Sequence, residues 1–569
     1  MEQKKMTPEQ VWAQYDKGVD FKNQINLYET VRNNENFYIG KQWEGVQSNG
    51  LPTPVFNFIK RIILFLVAST ATDNIKMAAS PLSSTGMSSA REVEQVCDII
   101  NAQFEALFEQ NKVGKLTREF MRNAAVDGDG CFYCWFDPEV ETGQTARGSI
   151  RVELLENTRV VFGNPNNRDV QTQPFIIVVR RETLDEVKRK AKEYKGTPDA
   201  VKTDTDETND RFDAMTDGKV TTLLKLWRER ETGTLWAMET TKDAVVRPAW
   251  DTGQRLYPIG WMNWDYVVNC YHGQAAVTGL IPNQIFVNKM FAMTMISLMT
   301  TAYPKVVYDR TRVAKWDSRV GAAIGVNGGD VNSVAKTVDP ATISPQVSQF
   351  IDLAIAYTKE FMGATDAALG DTRPDNTSAI IALQKASSVP MELTKQNLFQ
   401  SIEDMGNIWL DLMRVYYGTR YVEVKPDQAQ QQAEGIGAQA MPVPFDFSVL
   451  EQVPLSLKLD VGGSAYWSEI AQMNTLDNLL TQNKISVIDY LERVPNGYIS
   501  NQQELIAVLR QREQAAQQAA MGAAAPTDGA SAPIADFNQP VDVTGGSGYG
   551  QLQRALNETG AEGLNLTGN

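Results

Sequence analysis

Apolar residues recur with a helical period over residues 7–40, at Trp12, Tyr15, Phe21, Ile25, Tyr28 and Val31, which predicts one amphipathic helix. Thr7-Pro8-Glu9 supplies its start, because proline is tolerated in the first turn, where its missing N–H has no partner to lose. The helix runs into NFYIGKQWEG (36–45), a glycine-bearing turn with Tyr38 and Trp43. After Pro52 and Pro54 a second helix is expected from about 56 to 72. Residues 88–126 repeat the helical pattern, with Val93, Val96, Ile100, Phe104, Leu107 and Phe108 on one face. DGDG (127–130) breaks it as a turn, and CFYCWF (131–136) reads as a short aromatic strand. Further strands are expected at 150–155, 175–180, 220–227 and 234–238. A short charged helix (184–194) and an acidic, Thr-rich loop (198–217) interrupt them.

The second half is more helical. An apolar helix is predicted over 284–303 and ends at Pro304. A small-residue stretch containing GVNGGDVNS and a strand-like passage to 342 follow. Ser344-Pro345 opens a helix to about 362, and GATDAALGDTRPDNT (363–377) is a polar loop. A long helical pattern covers 378–417, with an apolar stripe at Leu398, Ile402, Met405, Trp409, Leu412 and Tyr416. Pro390 should kink it, through the lost N–H and the ring clash. A Gln/Ala insert (428–439), a strand at 455–461, two or three helices in 468–521 and a flexible Gly/Ala/Pro-rich tail from 522 complete the chain. The expected class is α+β, predominantly helical.

At 569 residues the chain has room for about four domain-sized units. Lys+Arg number 54 against 69 Asp+Glu, a net charge of −15, which argues against tight general DNA binding, since that rests on neutralising phosphates. There is one histidine, His272, so sites that need several histidines are excluded. The four cysteines, Cys97, Cys131, Cys134 and Cys270, are too sparse for a disulfide framework. MEQKKMTPEQ at the start lacks an apolar signal core, which points to a reducing cytoplasm. The apolar stretch 62–71 is too short to span a bilayer. The window 273–304 carries only Lys289 but also Gln, Asn, Thr and Pro282, and reads as a helix buried against protein.

Chemical motifs are weak. Cys131 and Cys134 sit three apart in a strand, which sends the thiols to opposite faces, so structural cysteines are the better reading. Asp127-Gly-Asp129-Gly lacks the Gly and Glu that a calcium loop needs at its sixth and twelfth positions; Phe132 and Pro138 stand there. The acidic run Asp204, Asp206, Glu207 and Asp210 fails the same pattern. No phosphate-cradling glycine loop or serine elbow occurs. No cofactor or metal is implied. Arg310, Arg312, Lys315 and Arg319 form a basic cluster interleaved with Asp309 and Asp317, which suits nucleic acid, an acidic partner or a solvated surface.

In the order of its elements the chain resembles the portal proteins of tailed bacteriophages. The resemblance is carried by NFYIGKQWEG (36–45) followed by NFIKRIILFLVASTATDNI (57–75), by a long apolar helix ending at a proline before a compact α/β insert, and by the long Pro-interrupted helix 378–418. It covers most of 20–510 and implies a ring, usually of twelve identical subunits, at one vertex of the virion capsid. Double-stranded DNA would pass through without tight binding during packaging and ejection. The implied partners are the major capsid protein and scaffold, a terminase, and a head-tail connector or adaptor, with assembly in the host bacterial cytoplasm, no enzymatic activity and no membrane.

Carried onto this chain, the resemblance makes 1–272 with 445–468 the wing, 273–303 and 345–362 two stem helices, and 304–344 the clip. It makes 363–377 a tunnel loop, 378–444 a long kinked wing helix with the Gln/Ala insert, 469–521 a crown and 522–569 a flexible tail. Asp366, Asp371, Arg373, Asp375, Gln384 and Lys385 become candidates for the DNA channel. Arg310, Arg312, Lys315 and Arg319 become candidate clip contacts. Two rivals from other classes are a membrane-associated assembly protein anchored by 273–304 and an esterase- or transferase-type enzyme using His272.

Overall fold

The computed structural model describes residues 6–71 (without 49), 75–81, 90–205, 218–302, 306–337 (without 318 and 320), 346–363, 391–424, 441–461 (without 452 and 454), 476–494 (without 483) and 505–510 (without 507). The chain divides into two compact units, Met1–Ser468 and Glu469–Asn569. The length alone suggested about four. The first unit is larger than a typical domain because one core gathers residues from Phe37 to Leu457, so no stretch within it closes on itself.

Alternation along β2 (Asp129–Asp137) organises the first unit. Cys131 and Tyr133 belong to one core, Phe132 and Cys134 to the other, as a period of two requires. β2 is the middle strand of a three-stranded antiparallel sheet with β3 (Ser149–Leu155) and β9 (Ile259–Asn263). One face packs against helices α3 (Phe58–Thr70), α4 (Ala90–Gln110), α5 (Val113–Asp127) and the C-terminal part of a long helix named below. The other packs against a five-stranded antiparallel sheet in the order β4 (Val160–Phe162), β5 (Phe175–Thr183), β6 (Lys219–Arg228), β7 (Leu235–Thr240), β8 (Val245–Asp251). Helix α1 (Pro8–Gln24) covers that sheet's far face, where Val11 and Tyr15 meet Val161, Ile177 and Leu223. Gly18 lies where α1 crosses β4: a Cβ there would stand 2.2 Å from Val161 Cγ1. The small helix α6 (Leu184–Glu193), with a full capping box from Thr183 and Glu186, closes a satellite core.

Two helices expected to be continuous are broken. Residues 7–40 form α1 and α2 (Leu27–Ile39), separated at Asn26, whose φ of 53° is left-handed. Residues 88–126 break at Lys112, φ 51°, into α4 and α5. A left-handed residue ends the i→i−4 ladder whatever the apolar spacing. The long helix α9 (Glu392–Tyr416) buries the expected stripe from Leu398 to Leu412, with Tyr416 half-buried. The helix gives way to β12 (Thr419–Val424), which pairs with β13 (Met441–Asp446) on the far side of the insert. β1 (Ile75–Pro81) pairs with β14 (Leu455–Val461), a ribbon lying on α4 and α9. In the second unit, Ser486 caps a helix Val487–Arg493, and Tyr490 Oη donates to Asp477 at 2.7 Å.

Candidate channel and docking surfaces

Helix α7 (Ala276–Ala302) begins earlier than the sequence pattern suggested and continues through Pro282. Its N-terminal half is core: Val277, Leu280 and Ile281 join the main cluster. Two buried amides anchor it. Gln284 Nε2 donates to Phe56 O at 2.8 Å, and Asn288 Nδ2 donates to Gln42 Oε1 at 2.6 Å. Gln42 and Trp43, the most distinctive residues of NFYIGKQWEG, thereby acquire roles. The first holds α7; the second donates from its indole to Pro54 O and closes the loop at 2.9 Å.

Beyond Ala292 the helix changes character. Met293 is 63% exposed and Leu298 60%, with Met295 and Met299 also exposed. Helix α8 (Gln346–Phe361) packs against α7, tied by Asn283 Nδ2 to Thr358 Oγ1 at 3.0 Å, and exposes Phe350, Leu353 and Tyr357. Lys289 is the one charged residue of α7. Among the described residues, both helices thus leave apolar side chains exposed.

Between α7 and α8 the described residues form a small insert in which β10 (Val306–Tyr308) pairs with β11 (Ala335–Thr337). The basic cluster separates here by environment. Arg312 is spent inside the insert, donating to Gly328 O (2.6 Å), Asp330 O (3.1 Å) and Ser333 Oγ (3.0 Å). Arg319 pairs with Asp317 at 2.6 Å on the surface. Arg310 and Lys315 are exposed. Asp366, Asp371, Arg373, Asp375, Gln384, Lys385 and the expected kink at Pro390 lie outside the described residues, as does the tail 522–569.

A buried polar node that the sequence reading missed sits where α1, β2, β9 and the segment entering α7 meet. Asp129 accepts four donors: His272 Nδ1 at 2.7 Å, the Gly273 amide at 2.7 Å, Asn263 Nδ2 at 2.8 Å and Asn157 Nδ2 at 3.1 Å. Lys22, wholly buried, donates to the carbonyls of Thr158 (2.7 Å) and Asn157 (3.2 Å). Burial, opposed by Asp129, lowers Lys22 to a pKa of about 7. Burial likewise pushes His272 down and the Cys131 and Cys134 thiols up. Gly128, φ 100°, and Gly273 pass so closely that a Cβ on Gly128 would lie 2.7 Å from Gly273 O. The available signal was a lone histidine in a chain with an aspartate opening a buried strand. Taken singly in the sequence, they suggest only a catalytic or a calcium-binding role.

His272 does pair with an aspartate, but Nε2 has no hydrogen-bond partner among the described residues, so none of those residues is engaged there as a nucleophile. Among those residues no group of three or more His, Cys, Asp or Glu is arranged to hold a metal ion. None of the described helices is long and apolar enough to cross a membrane.

Beside the node, burial raises the Asp127 carboxyl to a pKa of about 7, against the opposing pull of Arg122. A carboxyl raised in the fold contributes stability that is complete below its unfolded pKa and lost as pH rises through the folded value. Asp127→Asn should therefore match the wild type near pH 4 and exceed it in stability at pH 8. Urea midpoints at the two pH values measure this, and an equal offset at both would contradict it.

A family model described as phage P22-like portal protein matches residues 13–436. The match runs from within α1 through β12 and includes the α7–α8 pair and its insert. No curated protein matches the sequence.

Proposed function

Because the chain belongs to the phage P22-like portal protein family, we propose that it assembles into a ring of about twelve copies at a capsid vertex, through which double-stranded DNA is packaged and ejected. The observation that carries this reading is the α7–α8 pair, whose apolar faces find no cover within the described residues. Repeated around a closed ring, such a heterologous surface is buried against the next subunit. The α+β body built on the two sheets serves as the wing, α7 and α8 as the stem, and the β10–β11 insert as the clip. Within the clip, Arg310 and Lys315 are available to an acidic patch on a terminase or on the connector that replaces it. Arg312 supports the insert's shape instead. Residues 469–521, within the second unit, are assigned to the crown.

The net charge of −15 suits a conduit, since like charge prevents lasting phosphate contacts. In this reading the protein is a structural channel without catalysis or cofactor. The membrane-anchored alternative has no described helix to carry it. Negative-stain images of the purified chain test the proposal: rings with a central hole are expected, and particles without one at any concentration, with or without scaffold, would refute it.

The polar segment 363–377 joins the second stem helix to the wing helix and is proposed to face the channel. Charge reversal of Asp371 and of Arg373 should then leave rings intact while impairing DNA packaging or retention. Wild-type packaging by both variants would remove that assignment.

A further inference from the structure

We propose that the groove between α9 and the turn leading into β5 receives an extended segment of a partner protein, held along its backbone by side-chain amides and carrying one arginine or lysine. The groove has a volume of ≈ 650 Å³. Residues of α9 form one wall, and residues 168–171 with β9 form the other. The proposal does not depend on ring assembly.

The backbone requirement comes from α9. Asn397, Gln400, Asp404 and Asn407 all line the groove, and steps of three, four and three put them on one face of a helix. At a rise of 1.5 Å per residue that polar row runs for about 15 Å, the length of four or five extended residues. Neither Asn397 nor Asn407 makes a side-chain hydrogen bond among the described residues. Each amide offers a donor and an acceptor together, which is the complement of one peptide group. A chain laid along the row uses both.

The acids select the side chain. Asp169 enters from one wall and Asp404 from the other, and both are exposed. Partial burial raises the Asp404 carboxyl; Gln400 opposes this by donating to it, and the like charges of Glu403 and Asp169 add to the rise. A cation seated between the walls relieves that repulsion. Arg168 also lines the groove, but it rests over the Tyr266 ring, 4.3 Å from its centroid, and among the described residues it pairs with neither carboxylate. Tyr266 and the half-buried Trp261 supply apolar surface for the stem of a long basic side chain. The net charge of −15 draws a basic segment in from a distance.

The test uses the full-length protein and two blocked pentapeptides, acetyl-Gly-Ser-Arg-Ser-Gly-amide and its norleucine counterpart, titrated by calorimetry. The arginine peptide should bind saturably and about three- to fivefold more tightly, the upper range for an exposed ion pair. Acetyl-arginine amide, which carries the cation without the chain, should bind at least about tenfold more weakly than the arginine peptide, through loss of the backbone hydrogen bonds. Asn397→Ala with Asn407→Ala should weaken both peptides about tenfold or more and leave their ratio unchanged. Asp169→Asn with Asp404→Asn keeps an acceptor for the Gln171 amide and for Gln400 and should erase the preference for arginine. None of these four positions is buried, so the changes leave the core intact. Failure of the wild type to bind either peptide, equal binding of acetyl-arginine amide, unchanged affinities in the alanine pair, or an arginine preference that survives loss of both carboxylates would overturn the proposal.

Discussion

Replacing Met293 and Leu298 together by aspartate should abolish ring assembly and leave the subunit folded. Both side chains are more than half exposed, so neither change removes a core contact in the isolated chain. In a ring each would be buried against the neighbouring subunit. Fully burying a side chain of this kind is worth about 1.5–3 kcal/mol, so the loss is roughly 3–6 kcal/mol at every interface before any cost of the new charges. An unpaired carboxylate moved out of water adds several kcal/mol more. Because a closed ring requires all its interfaces at once, the penalty recurs with each subunit. Light scattering should report monomers or small oligomers, with circular dichroism and thermal midpoint close to wild type. Intact rings from the double variant would show that this face of α7 is not an interface.

That surface was partly legible in the sequence. The uncharged run before Pro304 was evident, and so was a helix there. What the pattern could not divide was its two halves: residues up to Ile281 are core, whereas those beyond Ala292 stand open. Both halves are apolar, and periodicity marks a face only where polar residues occupy the other side. Alternation placed β2 correctly because its two faces feed two different cores. The stripe on α9 was equally plain, being a single face against a single core.

The elements missed share a physical cause. β1 is a strand only because β14 pairs with it across Ile75–Val461, a contact no local window contains. β4 has three residues, too few for any period. β12 and β13 are separated by the Gln/Ala insert, which hides their pairing. The breaks at Asn26 and Lys112 are single left-handed residues within continuous apolar spacing. The polar anchors stayed hidden for a related reason. Gln42, Gln284 and Asn288 look like ordinary surface amides until the fold buries them against one another.

Asp129→Asn should be the most destabilising single substitution in the first unit, costing on the order of 3–5 kcal/mol, the range seen when one partner is removed from a buried charge pair. All four groups that meet Asp129 are donors, counting His272 Nδ1 in the neutral ring. A carboxylate accepts them all, whereas an amide turns its own N–H toward two of them. The change also strips Lys22 of the nearby negative charge that favours its protonation. Lys22→Met keeps much of the side-chain volume and removes the cation, so it should cost less. Combined, the two should cost clearly less than the sum of their separate effects, because each single variant leaves a buried charge that the double variant does not. Denaturant midpoints of the four proteins close the cycle. If the two losses add, Lys22 and Asp129 act independently, and the node is only a set of hydrogen bonds that share a location.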